Sequence, residues 1–290
     1  MSFQACTNER QFGVELKGID ASVPLPTEAL RFVSNALNEY SVVYMRDQKI
    51  SPEQLAVFGR LFGPLKVINA NRFFVPGFTD LHIISNVKDD QGNYIGHSDA
   101  GLFWHSDMGY NEKPDLYSFL YALEIPIQDG KPLGNTNFCS TIAAYNALPE
   151  DMKKKLATLK ALNSFERLTE LKRAKGQLRR GEITEHERKL GISAVHPVVR
   201  THPVTGKKAL YVSEGHTVGI IDMPENESAK LLEGLYAHMT QPRFIYSHQW
   251  KVGDLLIWDN AATLLKADFD YALPQRRLLH RATIKGGIPV

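Results

Sequence analysis

The sequence has little of what would place a protein in an oxidising compartment or in a membrane. Its 290 residues include only two cysteines, Cys6 and Cys139, which lie far apart and give no disulfide framework. No apolar run approaches the roughly 20 residues that a membrane helix needs. The N-terminal stretch carries no apolar core of the length typical of a signal peptide. We therefore expect a cytoplasmic protein without a membrane partner.

An excess of charge of one sign is also missing. The formal net charge is +2, which is too close to neutral to indicate nucleic acid or a membrane surface as a partner. Hydrophobic residues make up 43% and charged residues 23%, as is ordinary for a soluble globular protein. A chain of this length can bury about three quarters of its unfolded surface. We predict a single domain over residues 1–290 that needs no structural metal.

The N-terminal part shows a mixed α/β pattern. Apolar residues at helical spacing predict a helix over residues 27–40, and SVVYMR (41–46) is typical of a buried strand. A second helix should begin after Ser51, because serine caps helices, Pro52 suits the first helical position and Gln54 completes a capping box. A further helix is predicted at about 225–239.

Short strands dominate from residue 81 onward, separated by turn residues. The predicted strands are LHIISNV, LFWHSDMGY, LYSFLYAL, ISAVHPVVR, ALYVS, RFIYSHQW, DLLIWDN and RRLLHRATI. This pattern predicts a mainly β protein with flanking helices, built as a jelly roll or a barrel. A helical insertion interrupts the strands at about 140–190. Its charged, amphipathic second half fits either a solvated helix pair or a mobile cover over a pocket.

The segment FWHSD offers two metal-binding side chains. Residues i and i+2 of a strand point to the same face, so His105 and Asp107 should project together. Two histidines and one carboxylate on one side of a ferrous ion leave three positions open for other ligands. A His-x-Asp pair alone is more often a surface hydrogen bond. The interpretation therefore depends on the rest of the sequence.

Two arginines near the C-terminus share one strand face. Arg277, Leu279 and Arg281 have the same parity, so both guanidinium groups can point inward. An inward arginine can bind a carboxylate through two hydrogen bonds. The alternative is an edge strand with solvated charges. Burying both arginines without anions would be costly, which favours a site for acidic ligands.

Several segments, taken in order, resemble one enzyme family. WHSDMGY, GDLLIWDN and LPQRRLLHRATI are similar to motifs of the taurine dioxygenase / 2,4-dichlorophenoxyacetate dioxygenase family, as are FGPL (62–65) and TNFCSTIAAYNALP (136–149). The similarity spans about residues 10 to 288. It implies a double-stranded β-helix and an Fe(II)- and 2-oxoglutarate-dependent oxygenase. Such an enzyme hydroxylates a small, often anionic substrate and releases succinate and CO2. The resemblance also suggests a homo-oligomer.

The resemblance assigns roles to five residues. His105 and Asp107 match the first two iron ligands. Thr136 and Arg277 match the residues that contact the far carboxylate of 2-oxoglutarate. Arg281 matches the arginine that meets the acidic group of the substrate.

The sequence departs from the family pattern in the turn after the strand DLLIWDN. The family has Trp-Asp-Asn-Arg-x-x-x-His, whereas this chain has Ala261 in place of the arginine and Leu265 in place of the distal histidine ligand. Leucine cannot bind a metal. The glycine-rich GGDTxF motif is LGNTNF (133–138) here. Asn69 lies near the position of the taurine enzyme's substrate-binding histidine, which argues against taurine as the substrate.

Other histidines could replace the missing ligand. His280 is the nearest to Leu265 in sequence, but its parity opposes that of the two arginines. His248 fits a structural or surface role, whereas His97 lies in a predicted loop and could turn inward. The remaining histidines show no ligand spacing: His82, His186, His196, His202, His216 and His238.

The sequence leaves three hypotheses open. The protein is a working oxygenase with two protein ligands to iron, a family member that binds small acids without oxidising them, or an enzyme of another reaction.

Overall fold

The structure is a computed structural model that describes residues 2–9, 11–67, 73–176 and 192–290. Asn69, His186 and the part of the predicted insertion from 177 to 191 lie outside the described residues. None of the helices in these ranges has the length and apolar character needed to cross a membrane.

Short strands make up most of the regular structure in these ranges, and six helices flank them. The strands are β1 (Gln4–Cys6), β2 (Val14–Lys17), β3 (Val42–Met45), β4 (Phe74–Val75), β5 (Phe78–Ser85), β6 (Asp115–Glu124), β7 (Ile127–Gln128), β8 (Lys131–Pro132), β9 (Thr136–Ser140), β10 (Lys160–Ser164), β11 (Ser193–Pro197), β12 (Val199–Thr201), β13 (Lys208–Leu210), β14 (Thr217–Ile220), β15 (Ile245–His248), β16 (Leu255–Asp259), β17 (Thr263–Ala267) and β18 (Leu278–Lys285). The helices are α1 (Thr27–Tyr40), α2 (Pro52–Arg60), α3 (Thr141–Asn146), α4 (Glu150–Leu156), α5 (Phe165–Ala174) and α6 (Glu225–Met239).

Two sheets face each other and enclose the centre of the molecule. The large sheet has the order β1-β2-β3-β16-β6-β18-β5-β4, and the small sheet has the order β15-β9-β17. One buried cluster joins Leu120, Leu256 and Trp258 of the large sheet to Phe138 and Leu265 of the small sheet. Alternate residues of each strand meet in this layer, as in a two-sheet sandwich. The fold is the predicted jelly roll.

Helices cover the outer faces of both sheets. Val33 of α1 and Phe58 of α2 pack against outward residues of the large sheet such as Ile257. The N-terminal helices therefore lie outside the larger sheet. Helices α3 and α6 cover the small sheet, where Cys139 and Leu264 point outward.

Several elements agree closely with the sequence prediction. Helices α1 and α6 have the predicted bounds. The capping box of α2 is formed, because the Ser51 hydroxyl accepts from the Gln54 amide at 3.2 Å and the Gln54 side chain accepts from the Ser51 amide at 2.7 Å. These elements carry strong local signals, namely the helical spacing of apolar residues in α1 and the capping box of α2.

Two predictions need correction. Residues 102–110 do not form a strand; His105 makes an isolated bridge and a turn follows from Asp107. The backbone here bonds to other groups, for example the Asp107 amide to the Asn260 side chain at 3.1 Å. The insertion is not wholly helical either. Strand β10 lies between α4 and α5 in the sequence and pairs with β11 and β14. In both segments, bonds to residues far away in the sequence decide the backbone conformation, and the local sequence pattern does not.

The capping box gives a test of the fold. Ser51→Ala removes the side-chain acceptor of the first turn of α2, which should lower the free energy of unfolding by about 1 kcal/mol. Urea denaturation would measure the change. Ser51→Thr, which keeps a hydroxyl, serves as the control. Equal stability of Ser51→Ala and the unchanged protein would contradict the assigned role of the cap.

Candidate active site

A cavity of about 40 Å³ lies between the two sheets. Its polar lining consists of the five residues that the sequence singled out: His105, Asp107, Thr136, Arg277 and Arg281. Its apolar lining includes Ile84, Ala100, Gly101, Leu120, Trp258, Leu265 and Ala267. Larger cavities of about 440 and 650 Å³ lie elsewhere and contain none of these five polar residues. The candidate site is therefore the small central cavity.

His105 and Asp107 bring two possible metal-binding atoms close together. His105 Nε2 lies 3.6 Å from Asp107 Oδ1. His105 Nδ1 lies 2.8 Å from the carbonyl oxygen of Phe103. A carbonyl can only accept, so Nδ1 carries a proton, and in the neutral ring Nε2 is the nitrogen that can bind a metal. This is the arrangement of a metal-binding imidazole, in which a backbone oxygen fixes the tautomer. The two donors fit one metal ion.

The second oxygen of Asp107 is already bonded. Oδ2 accepts from the Ser118 hydroxyl at 2.5 Å and lies 2.9 Å from the Arg281 guanidinium. Burial by itself would raise the pKa of Asp107, but Arg281, His105 and Ser118 together outweigh it and hold the pKa well below its usual range. Asp107 is therefore a buried carboxylate that stays ionised at neutral pH.

Leu265 lies directly opposite His105. The His105 amide donates to the Leu265 carbonyl at 3.1 Å, and the Leu265 amide donates to the His105 carbonyl at 2.8 Å. Residues paired in this way project their side chains to the same face, and the Leu265 side chain lines the cavity. No group of three or more metal-binding side chains occurs in the described part of the chain. Within the described ranges, His105 and Asp107 are the two side chains that converge here as possible metal donors.

The alternative histidines do not supply a third donor. Both ring nitrogens of His248 are engaged, Nε2 with Asp254 at 2.9 Å and Nδ1 with the Tyr246 hydroxyl at 2.9 Å. The ring of His97 packs against Phe73, with centroids 4.9 Å apart, and His97 does not line the cavity. His280 is also outside the lining, as its parity predicted.

Sequence reasoning missed His216. Its ring packs edge-on against His105 with centroids 5.7 Å apart, but it faces a separate small cavity with Ser106 and Tyr211. Burial, together with the nearby His105, lowers the pKa of His216 to about 3, so the ring is neutral. No local pattern marks this residue, because 111 positions of sequence separate it from His105. Its ring thus packs against His105 from outside the candidate site.

Arg277 is a buried cation that lacks a carboxylate partner among the described residues. Its guanidinium lies 6.0 Å from the ring centroid of Trp250 and 5.9 Å from that of Tyr271. Its Nε atom has no hydrogen-bond partner there. Trp250 also donates to the Thr136 hydroxyl at 3.0 Å, which links Thr136 to the same corner. Burial lowers the pKa of Arg277, and Tyr271 opposes this shift. Such a buried guanidinium fits an anionic ligand.

Gly134 makes room for Arg277. Its φ is +71°, and a Cβ atom there would lie 2.8 Å from Cε1 of Tyr271 and 2.9 Å from both Cδ and Nε of Arg277. Its amide donates to Asp270 at 2.7 Å. The glycine of LGNTNF is therefore required by the arginine pocket, a reason that the sequence comparison alone did not supply.

Arg281 belongs to a network of charges beside His105 and Asp107. It lies 2.9 Å from Asp107 and 3.8 Å from Asp115. Asp115 also pairs with Lys66 at 2.6 Å. Burial raises the pKa of Asp115 to about 6, although Lys66 and Arg281 act against it. Arg281 Nε has no hydrogen-bond partner among the described residues. It keeps donor capacity for an acidic ligand.

Comparisons with known proteins agree with this site. The sequence profile described as "Taurine catabolism dioxygenase TauD, TfdA family" matches residues 3–283. The alpha-ketoglutarate-dependent 2,4-dichlorophenoxyacetate dioxygenase of Cupriavidus pinatubonensis is 33% identical over 289 residues, covering 94% of each chain. A putative alpha-ketoglutarate-dependent sulfonate dioxygenase of Schizosaccharomyces pombe is 31% identical and covers 97% of this chain and 68% of its own. The crystal structure of AAD-2 with Mn(II) and N-oxalylglycine has a TM-score of 0.81 and 30% identity, covering 100% of this chain and 99% of that one.

The chain belongs to the TauD/TfdA family. Its enzyme class is that of the alpha-ketoglutarate-dependent dioxygenases, whose cofactors are Fe(II) and 2-oxoglutarate.

Gly134 gives a test of the arginine pocket. Gly134→Ala combines a left-handed backbone with a collision against Arg277, and should lower the free energy of unfolding by about 2–4 kcal/mol. Gly130→Ala is a matched control, because Gly130 has a φ of +74° and nothing within 4 Å of the added atom. In the control, the free energy of unfolding should fall only by the cost of the left-handed backbone conformation, about 1–2 kcal/mol. Equal losses in urea denaturation would show that Gly134 makes no room for Arg277.

Proposed function

We propose that the protein is an oxygenase that uses Fe(II) and 2-oxoglutarate to hydroxylate a small anionic substrate, releasing succinate and CO2. The observation that supports this most is the meeting of a His–Asp donor pair and two arginines in one cavity between the sheets. Fe(II) would be held by His105 Nε2 and Asp107 Oδ1, and it would supply the activation of oxygen. The subunit would be a single domain, and we propose that it forms a cytoplasmic homo-oligomer.

Arg277 and Thr136 would bind the far carboxylate of 2-oxoglutarate. Arg277 is 4% exposed and has no carboxylate partner among the described residues, so a carboxylate ligand would neutralise it. The Thr136 hydroxyl accepts from Trp250, which leaves its own hydrogen free to donate to that carboxylate. The keto acid end would then face His105 and Asp107 across the same cavity.

Arg281 would bind the acidic group of the substrate. It lines the cavity beside Ile84 and Leu120, so an apolar wall lies next to its charge, as an acid with an apolar body would require. The names of two relatives refer to acidic compounds, 2,4-dichlorophenoxyacetate and sulfonates. The ion pair with Asp107 orients the Arg281 guanidinium and offsets its positive charge inside the apolar wall.

Among the described residues the site has two protein ligands and no third, so the binding of Fe(II) and the binding of 2-oxoglutarate would be interdependent. With only His105 and Asp107 as protein donors, 2-oxoglutarate and water would complete the coordination of the metal. Bound Fe(II) would then raise the affinity of the protein for 2-oxoglutarate, and bound 2-oxoglutarate would raise its affinity for Fe(II), because the coupling free energy between two ligands is reciprocal.

A second candidate function is the binding of small acids without oxidation. Leu265 supports it, because the leucine faces His105 from the paired strand and cannot bind a metal. Arg277 would still accept a dicarboxylate in such a protein. Metal analysis of the purified protein together with an assay of succinate release separates the two functions. If the purified protein contains no iron and releases no succinate, the result favours the acid-binding function over the oxygenase.

The first test concerns 2-oxoglutarate. Arg277→Leu should weaken its binding by about a hundredfold or more, because a desolvated bidentate pair contributes a few kcal/mol. Isothermal titration calorimetry would measure the affinity. Arg276→Leu is a matched control, because the neighbouring Arg276 is exposed and pairs with Glu124. Unchanged affinity in Arg277→Leu would refute the assignment.

The second test concerns the metal. Leu265→His should tighten Fe(II) binding by at least about 10–100-fold, the loss typical of even indirect damage to metal sites. Leu265→Phe adds a ring without a donor and is the control. Titrations of His97→Ala and His248→Ala, with and without 2-oxoglutarate, complete the set. Tight binding by the unchanged protein that is lost in either of these variants would reveal a relocated third ligand.

A further inference from the structure

We infer that Asn260 and Ser118 are positioning residues that set the orientation of the Asp107 carboxylate. The inference rests on the proposed function only for its importance to metal binding, since the hydrogen bonds themselves do not depend on a metal.

Asn260 holds the backbone of Asp107. Its side-chain oxygen accepts from the Asp107 amide at 3.1 Å and from the Trp258 indole at 3.0 Å. Both partners are N–H donors, so the oxygen must face them and the amide nitrogen must face the other way. The orientation of this buried amide is therefore settled by its partners.

Ser118 transmits that orientation to the carboxylate. The Asn260 amide nitrogen donates to the Ser118 hydroxyl oxygen at 3.1 Å. The Ser118 hydrogen is then directed to Asp107 Oδ2 at 2.5 Å, the length of a charge-assisted bond. The chain of bonds begins at the amide of Asp107 and ends at its carboxylate. It thus restrains both parts of this one residue.

The large sheet supplies the rigid support for this ring of bonds. Ser118 lies on β6, opposite Trp258 of β16, and Asn260 follows the end of β16. Both side chains are at most 1% exposed. Residues 102–110 form no strand, so no ladder of strand hydrogen bonds can fix Asp107. Asn260 takes over that role and holds Asp107 against the sheet.

The arrangement leaves one carboxylate oxygen for a ligand. Oδ2 is bonded to Ser118 and Arg281, so Oδ1 alone faces His105 Nε2. A site with two protein donors has no third donor to compensate for a misplaced carboxylate. The hydroxyl of Ser118 should therefore matter for metal affinity although it does not touch the metal position.

The test combines crystal structures with Mn(II) titration of the full chain. Ser118→Ala removes one hydroxyl, and the Asp107 carboxylate should rotate while Mn(II) affinity falls by about 10–100-fold. Asn260→Ala should have the same effects if it folds. Affinity for 2-oxoglutarate without metal should stay unchanged in Ser118→Ala, because Arg277 is not altered.

Ser228→Ala is a matched control, because Ser228 is also buried and its hydroxyl accepts from the Ile220 amide at 2.8 Å, away from the cavity. It should leave Mn(II) affinity unchanged. The inference is overturned if Asp107 keeps its orientation in Ser118→Ala. If the unchanged protein binds no Mn(II), the proposed function fails, and the orientation of Asp107 in the variant structures alone decides the inference.

Discussion

The buried negative charge of Asp107 is the constraint around which the site is organised. A carboxylate removed from water must be paired and hydrogen-bonded, or it becomes protonated or destabilises the fold. Arg281 and Ser118 satisfy one oxygen, and Asn260 holds the backbone of the same residue. The other oxygen is left beside His105. The bonds that stabilise the buried charge are therefore the same bonds that leave Oδ1 facing His105.

A second buried charge lies in the same cavity. Arg277 lies between the rings of Trp250 and Tyr271, and among the described residues its Nε atom has no hydrogen-bond partner and no carboxylate forms an ion pair with it. An acid that binds Arg277 at one end and reaches the His105–Asp107 pair at the other would satisfy both needs. The apolar walls strengthen such contacts, because electrostatic interactions are larger where water is excluded.

Leu265 is part of the hydrophobic core as well as of the cavity wall. It packs in the same buried cluster as Phe138 and Trp258, between the two sheets. A leucine at this position therefore adds apolar burial to the fold while it offers the cavity no donor. The well-packed jelly roll is thus compatible with a cavity in which His105 and Asp107 are the candidate metal ligands among the described residues. Packing and metal binding impose different demands on one position, and leucine meets only the first.

The amino-acid sequence by itself determined the elements that depend on local chemistry, such as α1 and the capping box of α2, and through its motifs the family and the five polar residues of the cavity. It predicted the inward direction of Arg277 and Arg281 from strand parity. It wrongly assigned a strand to residues 102–110, where bonds to a distant side chain replace the ladder. Only the tertiary structure placed Leu265 opposite His105, brought His216 against the His105 ring and joined Asn260 to Ser118 and Asp107. These contacts join residues up to about 160 positions apart, and no local pattern encodes a partner that only the folding of two sheets brings near.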